Sequence, residues 1–359
     1  MELIYCAAGN KRFAEIAIKH GFVYGAQLPN TVYYPPKFVD QDWRNPDFDG
    51  YMNALDTHRP ALASVLDWEY QEQLPEVLQW AETAARFVSE AVIIIPKVMG
   101  GISQLPRTIA GKQVRLGYSV PTSFAGTQLP PWEFSGWPVH LLGGSPPEQM
   151  KLANYMTVAS ADGNYAQKIA VRFNQFFAAG GTARWAKNRW WPQLQESVFG
   201  HVSEDAIYLA FELSCINIRA AWSGCTATIR YAVEGDLPAV KRIANQYKAE
   251  LGYVMWPTLR EAVAKQELYV AEYGRQIVGF CNWHCRRDGW HTIYEIAVEK
   301  TRRGEHIGRA LLDAVPNPKR LKCTTGNPAN GFYNHCGMTN VGIDEGRKRP
   351  LNIWEVSLS

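Results

Sequence analysis

Short apolar runs alternate with segments of helical periodicity over residues 1–170. The apolar runs have the usual length of β-strands. They occupy residues 3–8, 23–28, 61–66, 91–98, 114–120, 139–142 and 157–161. Between them, apolar positions recur every three to four residues over 11–20, 73–89 and 147–156, as they do in amphipathic helices. The pattern therefore predicts an α/β fold for this part of the chain.

The predicted strands are apolar along almost their whole length, as in the segment AVIIIP at 91–96. Strands of a parallel sheet that is covered on both faces have this continuous apolar character, and helices form the crossovers between them. Seven such units favour a closed (β/α) barrel over an open doubly wound sheet. In a barrel, functional residues lie at the carboxyl ends of the strands.

Polar and glycine residues follow these strands at the places where a barrel has its active site. They are Asn10, Asp67, Glu69, Lys97, Ser119, Gly143, Gly144, Ser145, Asp162 and Asn164. Any one of them alone is more typical of a helix cap or a turn. Their recurrence after successive strands favours a functional role for the set.

Residues 171–225 have a mainly helical pattern, and their first part mixes basic with aromatic side chains. These side chains are Arg172, Arg184, Lys187 and Arg189, with Phe176, Phe177, Trp185, Trp190 and Trp191. Such a mixture suits a nucleic-acid surface, where cations meet phosphates and rings stack on bases. A helical layer that packs its aromatic side chains inward explains it equally well.

Length and composition indicate two globular domains, which we expect at residues 1–225 and 226–359. The net charge of +3 is too small to identify a polyanionic partner. Seven cysteines without a CxxC pair indicate reduced thiols and no metal site. No apolar run approaches the roughly 18 residues of a membrane span, and the N-terminus lacks the pattern of a signal peptide. We therefore expect a cytoplasmic protein without a membrane partner.

The segments after residue 226 follow each other in an informative order. A strand in TIRY precedes a helix that begins near Gly235–Asp236, and two strands then form a hairpin around residues 273–275. A strand at 292–298 leads through RRGEHIGRALL into another helix, and NPANGFYNHCGM follows. This ordered set resembles the GCN5-related N-acetyltransferase (GNAT) family, and the resemblance implies a GNAT-fold α/β domain.

The GNAT resemblance also implies a cofactor, acetyl-CoA or a related acyl-CoA. Backbone N–H groups at the start of a helix would bind its pyrophosphate. The residues that match this turn are Arg303, Gly304, Ile307 and Gly308, while His306 stands where the family usually has glycine. Asn330 matches a residue beside the cofactor. Glu295 and Tyr333 match catalytic positions, with Glu295 as the general base.

The barrel segment resembles the tRNA-guanine transglycosylase superfamily through VHLLGGSPPEQMKLA, SADGN and SVLDWE. The resemblance implies that Asp162 is the nucleophile, that Asp67 handles the proton, and that Gly143, Gly144 and Ser145 bind the substrate. The zinc site of the tRNA enzymes has no counterpart here. In this respect the chain is similar to the branch found in phages and bacterial islands that inserts 7-deazaguanines into DNA.

Together, the two resemblances imply an enzyme of DNA hypermodification. It would exchange guanine for a 7-deazaguanine base through an aspartate-linked glycosyl intermediate, with DNA as partner. The GNAT domain would acylate the product or position the substrate. Two alternatives remain: an N-acetyltransferase whose barrel is not catalytic, and a DNA glycosylase in which water resolves the intermediate.

Overall fold

The computed structural model of the chain describes residues 1–6, 10–122, 126–173, 175–179, 181–184, 204–346 and 349–357. It divides into two compact units. The first comprises residues 1–18 and 22–168, and the second comprises residues 19–21 and 169–359. The predicted domain boundary at 225/226 lies further along the chain than this division at 168/169. That residues 1–225 and 226–359 fold independently stays a prediction.

The first unit is a closed barrel of eight parallel strands. These strands are β1 (Glu2–Cys6), β2 (Val23–Gln27), β3 (Phe38–Asp40), β4 (Leu62–Trp68), β5 (Ala91–Pro96), β7 (Lys112–Ser119), β8 (Val139–Leu142) and β9 (Val158–Gly163). Each strand pairs with the next in this order, and β9 pairs with β1 to close the ring. The short strand β6 (Thr108–Ile109) pairs antiparallel with β7 outside the ring.

Helices connect several of the barrel strands. They are α1 (Lys11–Lys19), α2 (Phe48–His58), α3 (Leu74–Ala84), α4 (Pro146–Leu152) and α5 (Tyr165–Phe173). Apolar side chains from alternate strand positions fill the interior: Ile4, Cys6, Phe38, Leu62, Ala91, Ile93 and Ile95. The barrel interior is therefore mainly a packed apolar core.

The predicted α/β barrel is confirmed, and all seven predicted strands lie in it. Residues 7 and 8, at the end of the first predicted strand, lie outside the described residues. The sequence pattern missed strand β3 and helix α2. The three residues of β3 are too few to show a period, and the apolar positions of α2 are diluted by the polar run FDGYMNALDTH.

The second unit contains a seven-stranded sheet in the order β12-β13-β14-β15-β16-β18-β17. The strands are β12 (Thr228–Tyr231), β13 (Leu268–Tyr273), β14 (Gln276–Cys285), β15 (His291–Val298), β16 (Lys319–Thr324), β17 (Thr339–Asp344) and β18 (Leu351–Val356). All neighbours are antiparallel except β15 and β16, which are parallel. The order of strands and helices along the chain that the sequence predicted is present, and so is the predicted hairpin, formed by β13 and β14.

In the described residues of the second unit, six helices follow α5. They are α6 (Glu204–Trp222), α7 (Leu237–Gln246), α8 (Lys248–Leu251), α9 (Trp256–Ala264), α10 (Ile307–Ala314) and α11 (Ala329–His335). Their apolar faces cover the sheet, and Leu237, Val240, Leu259, Val270 and Phe280 belong to one core. Helix α10 connects the two parallel strands, because parallel neighbours need a crossover.

The helical reading of residues 171–225 is wrong in one segment. There, β10 (Gln175–Ala178) and β11 (Gly181–Arg184) pair as antiparallel strands. The aromatic side chains of Phe176 and Phe177 in β10 are buried, so they pack inward. Lys187, Arg189, Trp185, Trp190 and Trp191 lie outside the described residues, and a nucleic-acid surface there stays a prediction.

Strand β12 is an edge strand of the sheet, and helix α6 provides hydrogen-bond partners for backbone groups on its open side. The side chain of Asn217 donates to the carbonyl of Ile229 at 2.8 Å and accepts from the N–H of Ile229 at 2.8 Å. Both residues are buried. The side-chain amide of Asn217 thus makes the two hydrogen bonds that a neighbouring strand would make with Ile229. These bonds attach helix α6 to strand β12.

In the part of the chain with described coordinates, none of the helices combines the length and the apolar character that a bilayer crossing requires.

We expect Asn217→Ala to loosen the β12 edge specifically. The change leaves a buried N–H and a buried carbonyl of Ile229 without partners, which costs about 2 kcal/mol or more. Hydrogen exchange of the amides of Thr228–Tyr231, followed by mass spectrometry on the full chain, should accelerate by roughly 30-fold.

The matched control is Asn245→Ala, which removes an exposed asparagine from helix α7. It should leave exchange at β12 unchanged, and peptides from the barrel strand Leu62–Trp68 should be unaffected by either variant. Unchanged exchange at β12 in Asn217→Ala would show that α6 does not stabilise this edge.

Candidate functional site

The carboxyl ends of the barrel strands surround a cavity of about 240 Å³. Inward-facing side chains from successive strands line it, because alternate residues of a strand point to the same side. The lining residues are Cys6, Gln27, Asp40, Gln41, Trp43, Asp67, Ile95, Lys97, Ser119, Leu142, Gly143, Asp162, Gly163 and Asn164. The two aspartates expected from the sequence, Asp67 and Asp162, are thus brought together.

A β-bulge turns Asp67 into this cavity. Ser64 lies opposite Ile93, but Asp67 lies opposite Ile95, so β4 uses three residues where β5 uses two. An extra residue of this kind reverses which side chains face inward. Without it, strict alternation from Ser64 would point Asp67 away from the barrel axis.

Asp67 forms an ion pair with Lys97, the residue that follows β5. The distance between Oδ2 and Nζ is 2.7 Å, and Nζ also lies 2.8 Å from Oε1 of Glu69. Burial raises the pKa of the Asp67 carboxyl, and the ion pair with Lys97 opposes that effect. Burial lowers the pKa of Lys97, but its two carboxylate partners outweigh burial and raise it. Lys97 therefore remains a cation.

Asp162 is fixed by the turn that follows β8. Its Oδ1 accepts from the N–H of Gly143 at 3.2 Å and lies 3.3 Å from Nε2 of His140. The amide of Gln149 donates to the carbonyls of Gly143 and Asp162, at 2.7 and 2.9 Å. Gly143 has φ +63°, a left-handed conformation that glycine adopts without strain. The turn therefore presents its N–H group to the carboxylate.

Asp40 at the end of β3 is a site residue that sequence reasoning missed. Its Oδ1 accepts from the hydroxyl of Ser64 at 2.6 Å. Burial raises the pKa of Asp40 to about 7, and the negative charge of Asp162 adds to this effect. Asp40 thus changes its protonation state near neutral pH. The signal in the sequence was the run FVDQDW, whose two apolar residues are too few to identify a strand.

The other expected residues of the barrel have different positions. Asn10 caps α1 by accepting from the N–H of Arg12. Ser145 is the N-terminal cap of α4, and Gly144 packs its α-carbon against Val120 in a left-handed turn. These three are not among the residues that line the cavity, whereas Ser119 and Asn164 are. The roles of Gly143, Gly144 and Ser145 in substrate binding stay predictions.

In the second unit, the parallel pair β15–β16 separates beyond its first residues. Pairing covers only His291–Ile293 against Lys319–Leu321, although both strands continue. Tyr294 is an extra residue in β15, since Asn282 lies opposite Glu295 and Trp283 lies opposite Ile293. The separated ends leave an opening on the side where β15 leads into α10.

The loop 303–308 lies at this opening and begins helix α10. Gly304 has φ +86° and His306 has φ +58°, so both are left-handed. A left-handed backbone at position 306 is favourable for glycine, because a Cβ atom in that conformation costs conformational free energy. The imidazole of His306 lies against Gly224. Arg303 donates to the hydroxyl of Tyr247 at 3.2 Å.

Glu295 and Tyr333, the expected catalytic pair, are both largely buried. Asn282 donates to Oε2 of Glu295 at 2.6 Å. Burial raises the pKa of the Glu295 carboxyl, and this hydrogen bond partly opposes the rise. Burial also raises the pKa of the Tyr333 hydroxyl, which therefore keeps its proton. A carboxyl with a raised pKa is a suitable general base near neutral pH.

Asn330, expected beside the cofactor, has a structural position. Its Nδ2 donates to the carbonyls of Thr324 and Asn327, at 2.8 and 2.9 Å. Its Oδ1 accepts from Asn352 and Trp354, at 3.0 and 2.8 Å. The amide is thus occupied in joining α11 to β16 and β18. Contact of Asn330 with the cofactor stays a prediction.

Within the described ranges, no group of three or more His, Cys, Asp or Glu side chains has the arrangement of a metal site.

Solved structures with a similar fold cover about a third of this chain. Ard1 from Thermoplasma volcanium is 21% identical, with 37% of this chain and 99% of that chain covered and a TM-score of 0.34. Naa50 from Arabidopsis thaliana, in complex with the bisubstrate analogue CoA-Ac-MVNAL, is 20% identical, with 36% and 98% covered and a TM-score of 0.31. The ribosomal-protein-S18-alanine N-acetyltransferase from Escherichia coli is 19% identical, with 37% and 94% covered and a TM-score of 0.31. No curated protein matches the chain.

Two family models match. The acetyltransferase (GNAT) domain matches residues 264–338, which confirms the expected acetyltransferase domain. A family of unknown function, DUF6610, matches residues 17–223, more than half of the chain. Because that family has no known function, the resemblance of the barrel to transglycosylases stays a prediction. The chain therefore belongs to the DUF6610 family and carries a GNAT acetyltransferase domain in its C-terminal part.

Proposed function

We propose that the second unit is an acyl-CoA-dependent N-acyltransferase that transfers an acetyl group to a primary amine. The observation that carries this proposal is the separation of β15 from β16 directly beside the loop 303–308. A pantetheine chain fits between strands that no longer pair, since their facing backbone groups are open to hydrogen bonds. The match of residues 264–338 to the GNAT domain supports the same conclusion.

The loop 303–308 fits the pyrophosphate of coenzyme A. The first N–H groups of a helix have no intrahelical partners, and the helix dipole favours an anion there. Helix α10 provides these groups from Ile307 onward. Arg303 adds a positive charge at the same end of the helix. Bound acetyl-CoA would supply the activated acyl group.

Glu295 would take the proton from the acceptor amine. An ammonium ion is not a nucleophile, so a base must remove its proton before or during transfer. The hydrogen bond from Asn282 holds Glu295 in one orientation. Tyr333, which keeps its own proton, can donate a hydrogen bond in the same region.

Gly308→Trp tests the position of the cofactor. A Cβ atom at Gly308 would lie 3.2 Å from the ring of Phe332 and 3.7 Å from Val298, so an indole there would crowd the start of helix α10 beside the end of β15. Calorimetric titration of the full chain with acetyl-CoA should show affinity reduced tenfold or more, about 1.4 kcal/mol.

Gly235→Trp is the control, because a Cβ atom there would meet open space. It should bind acetyl-CoA as the wild type does. Thermal unfolding of both variants verifies that they are folded. Wild-type affinity in a folded Gly308→Trp protein would place the cofactor elsewhere.

Glu295→Gln tests the general base. We expect kcat for acetyl transfer to fall by about 10²- to 10⁴-fold while acetyl-CoA still binds. Release of free thiol from acetyl-CoA, measured with spermidine and with lysine peptides as acceptors, gives the rate. Wild-type activity should rise with pH as Glu295 loses its proton, above the usual carboxyl range because burial raises that pKa.

This ascending limb should be absent in Glu295→Gln and retained in Glu234→Gln, which changes an exposed carboxylate. A full rate in Glu295→Gln, with an unchanged pH profile, would remove Glu295 from the mechanism.

We propose a second, separate activity for the barrel: exchange of guanine in DNA for a 7-deazaguanine base. The observation that favours it is the location of Asp67 and Asp162 in one cavity. Asp162 would attack C1′ of the nucleotide as guanine leaves, and the incoming base would then displace the carboxylate. Asp67, with Lys97 beside it, would handle the proton. DNA and the free base are the partners of this activity.

Nucleoside mass analysis of DNA from cells that make the protein tests base exchange. The wild type should yield a 7-deazaguanine nucleoside in place of deoxyguanosine. Asp162→Asn should yield none, since the amide keeps the shape but is no nucleophile. Asp49→Asn, an exposed carboxylate on α2, should behave as the wild type. Abasic sites instead of a new nucleoside would indicate a glycosylase, and unmodified DNA would contradict both.

A further inference from the structure

The cavity at the barrel mouth has an excess of hydrogen-bond acceptors and negative charge. Three carboxylates line it, from Asp40, Asp67 and Asp162. Of the described residues that line it, Lys97 is the one with a cationic side chain, and it is already engaged by Asp67 and Glu69. The charge of Lys97 therefore compensates that of Asp67, while the negative charge of Asp162 adds to the raised pKa of Asp40, whose largest cause is burial.

A second feature of the cavity points to a ligand independently. The side chain of Gln41 lines the cavity and is only 3% exposed. Its Oε1 has no hydrogen-bond partner among the residues with described positions. A buried carbonyl oxygen of this kind is unfavourable unless a donor reaches it. A ligand in the cavity can supply that donor.

The rim adds an aromatic surface. The ring of Trp43 lines the cavity and is 51% exposed. Aromatic faces attract cations, and the guanidinium of Arg44 already lies 5.0 Å from the centre of this ring. Because Arg44 already contacts this ring, Trp43 contributes an apolar wall to the cavity, and the preference for a cation rests on the interior.

We propose that this cavity is a binding site for a small organic nitrogen cation, an amidinium, a guanidinium or a primary ammonium. Its N–H groups would donate to Asp40, Asp162 and Gln41. An anion would be repelled by the carboxylates, and a neutral amide would satisfy Gln41 without compensating the charges. The site concerns the same cavity as base exchange but does not depend on it.

The binding of a cation should depend on the protonation of Asp40. The ionisable groups that face Asp40 are Asp162, Asp67, Cys6 and Tyr51. Burial raises the pKa values of Cys6 and Tyr51 well above their usual range, so both stay neutral. With the pKa of Asp40 about 7, its carboxyl is mostly neutral at pH 6 and mostly ionised at pH 8. A cation therefore binds more tightly as pH rises.

Calorimetric titration of the full chain with benzamidine tests the proposal, and benzamide serves as the neutral molecule of the same shape. Benzamidine should bind with one equivalent at pH 8 and about tenfold more weakly at pH 6, since only the ionised fraction is competent. Benzamide should bind at least tenfold more weakly than benzamidine. Butylamine in parallel tells whether an ammonium or a planar amidinium is preferred.

Asp40→Asn should weaken benzamidine binding and remove its pH dependence. Asp49→Asn removes the same charge from an exposed position and should do neither. If Asp40→Asn fails to fold, Gln41→Met provides a second test, because it removes the acceptor at similar volume and should also weaken binding.

Three results would overturn the proposal: equal affinity for benzamide and benzamidine, no binding at millimolar benzamidine, or unchanged pH dependence in folded Asp40→Asn. Loss of base exchange in cells leaves these titrations unaffected, so failure of that activity is distinguishable from failure of this site.

Discussion

Closure of eight parallel strands is the constraint on which the first unit depends. A closed ring turns alternate side chains of every strand toward one axis, so the residues at the carboxyl ends must meet. Here three of them are aspartates, and each carboxyl group has a partner or a protonation state that limits repulsion between them. Asp67 has Lys97, Asp162 has the N–H of Gly143, and Asp40 has the hydroxyl of Ser64 and a raised pKa. The charges of the cavity are thus a consequence of its architecture.

The second unit depends on one parallel pair in an otherwise antiparallel sheet. A parallel pair requires a crossover, and helix α10 provides it between β15 and β16. The start of that helix must lie at the carboxyl end of β15, where the pairing has already ended. A helix N-terminus, an opening in the sheet and Glu295 are consequently brought to one place. The cofactor site that we propose depends on this separation of the strands.

The two activities that we propose for the two units concern related chemistry, although the units have different folds. The second unit carries an acetyltransferase domain, whose acceptors in our proposal are amines. The cavity of the first unit presents carboxylates and an amide oxygen, which are groups that recognise protonated nitrogen. For a family without a known function, nitrogen-containing substrates are therefore the class to examine first in both units.

The sequence by itself determined the kind and order of most elements, the barrel class, the acetyltransferase motifs and the two strand-end aspartates Asp67 and Asp162. Only the tertiary structure decided which side chains meet. Periodicity reports local half-burial, whereas register depends on strands far away in the chain. The bulge that turns Asp67 inward and the three-residue strand that carries Asp40 both arise from pairing with remote segments. Asn330 follows the same rule, since its partners on β18 come 22 and 24 residues later.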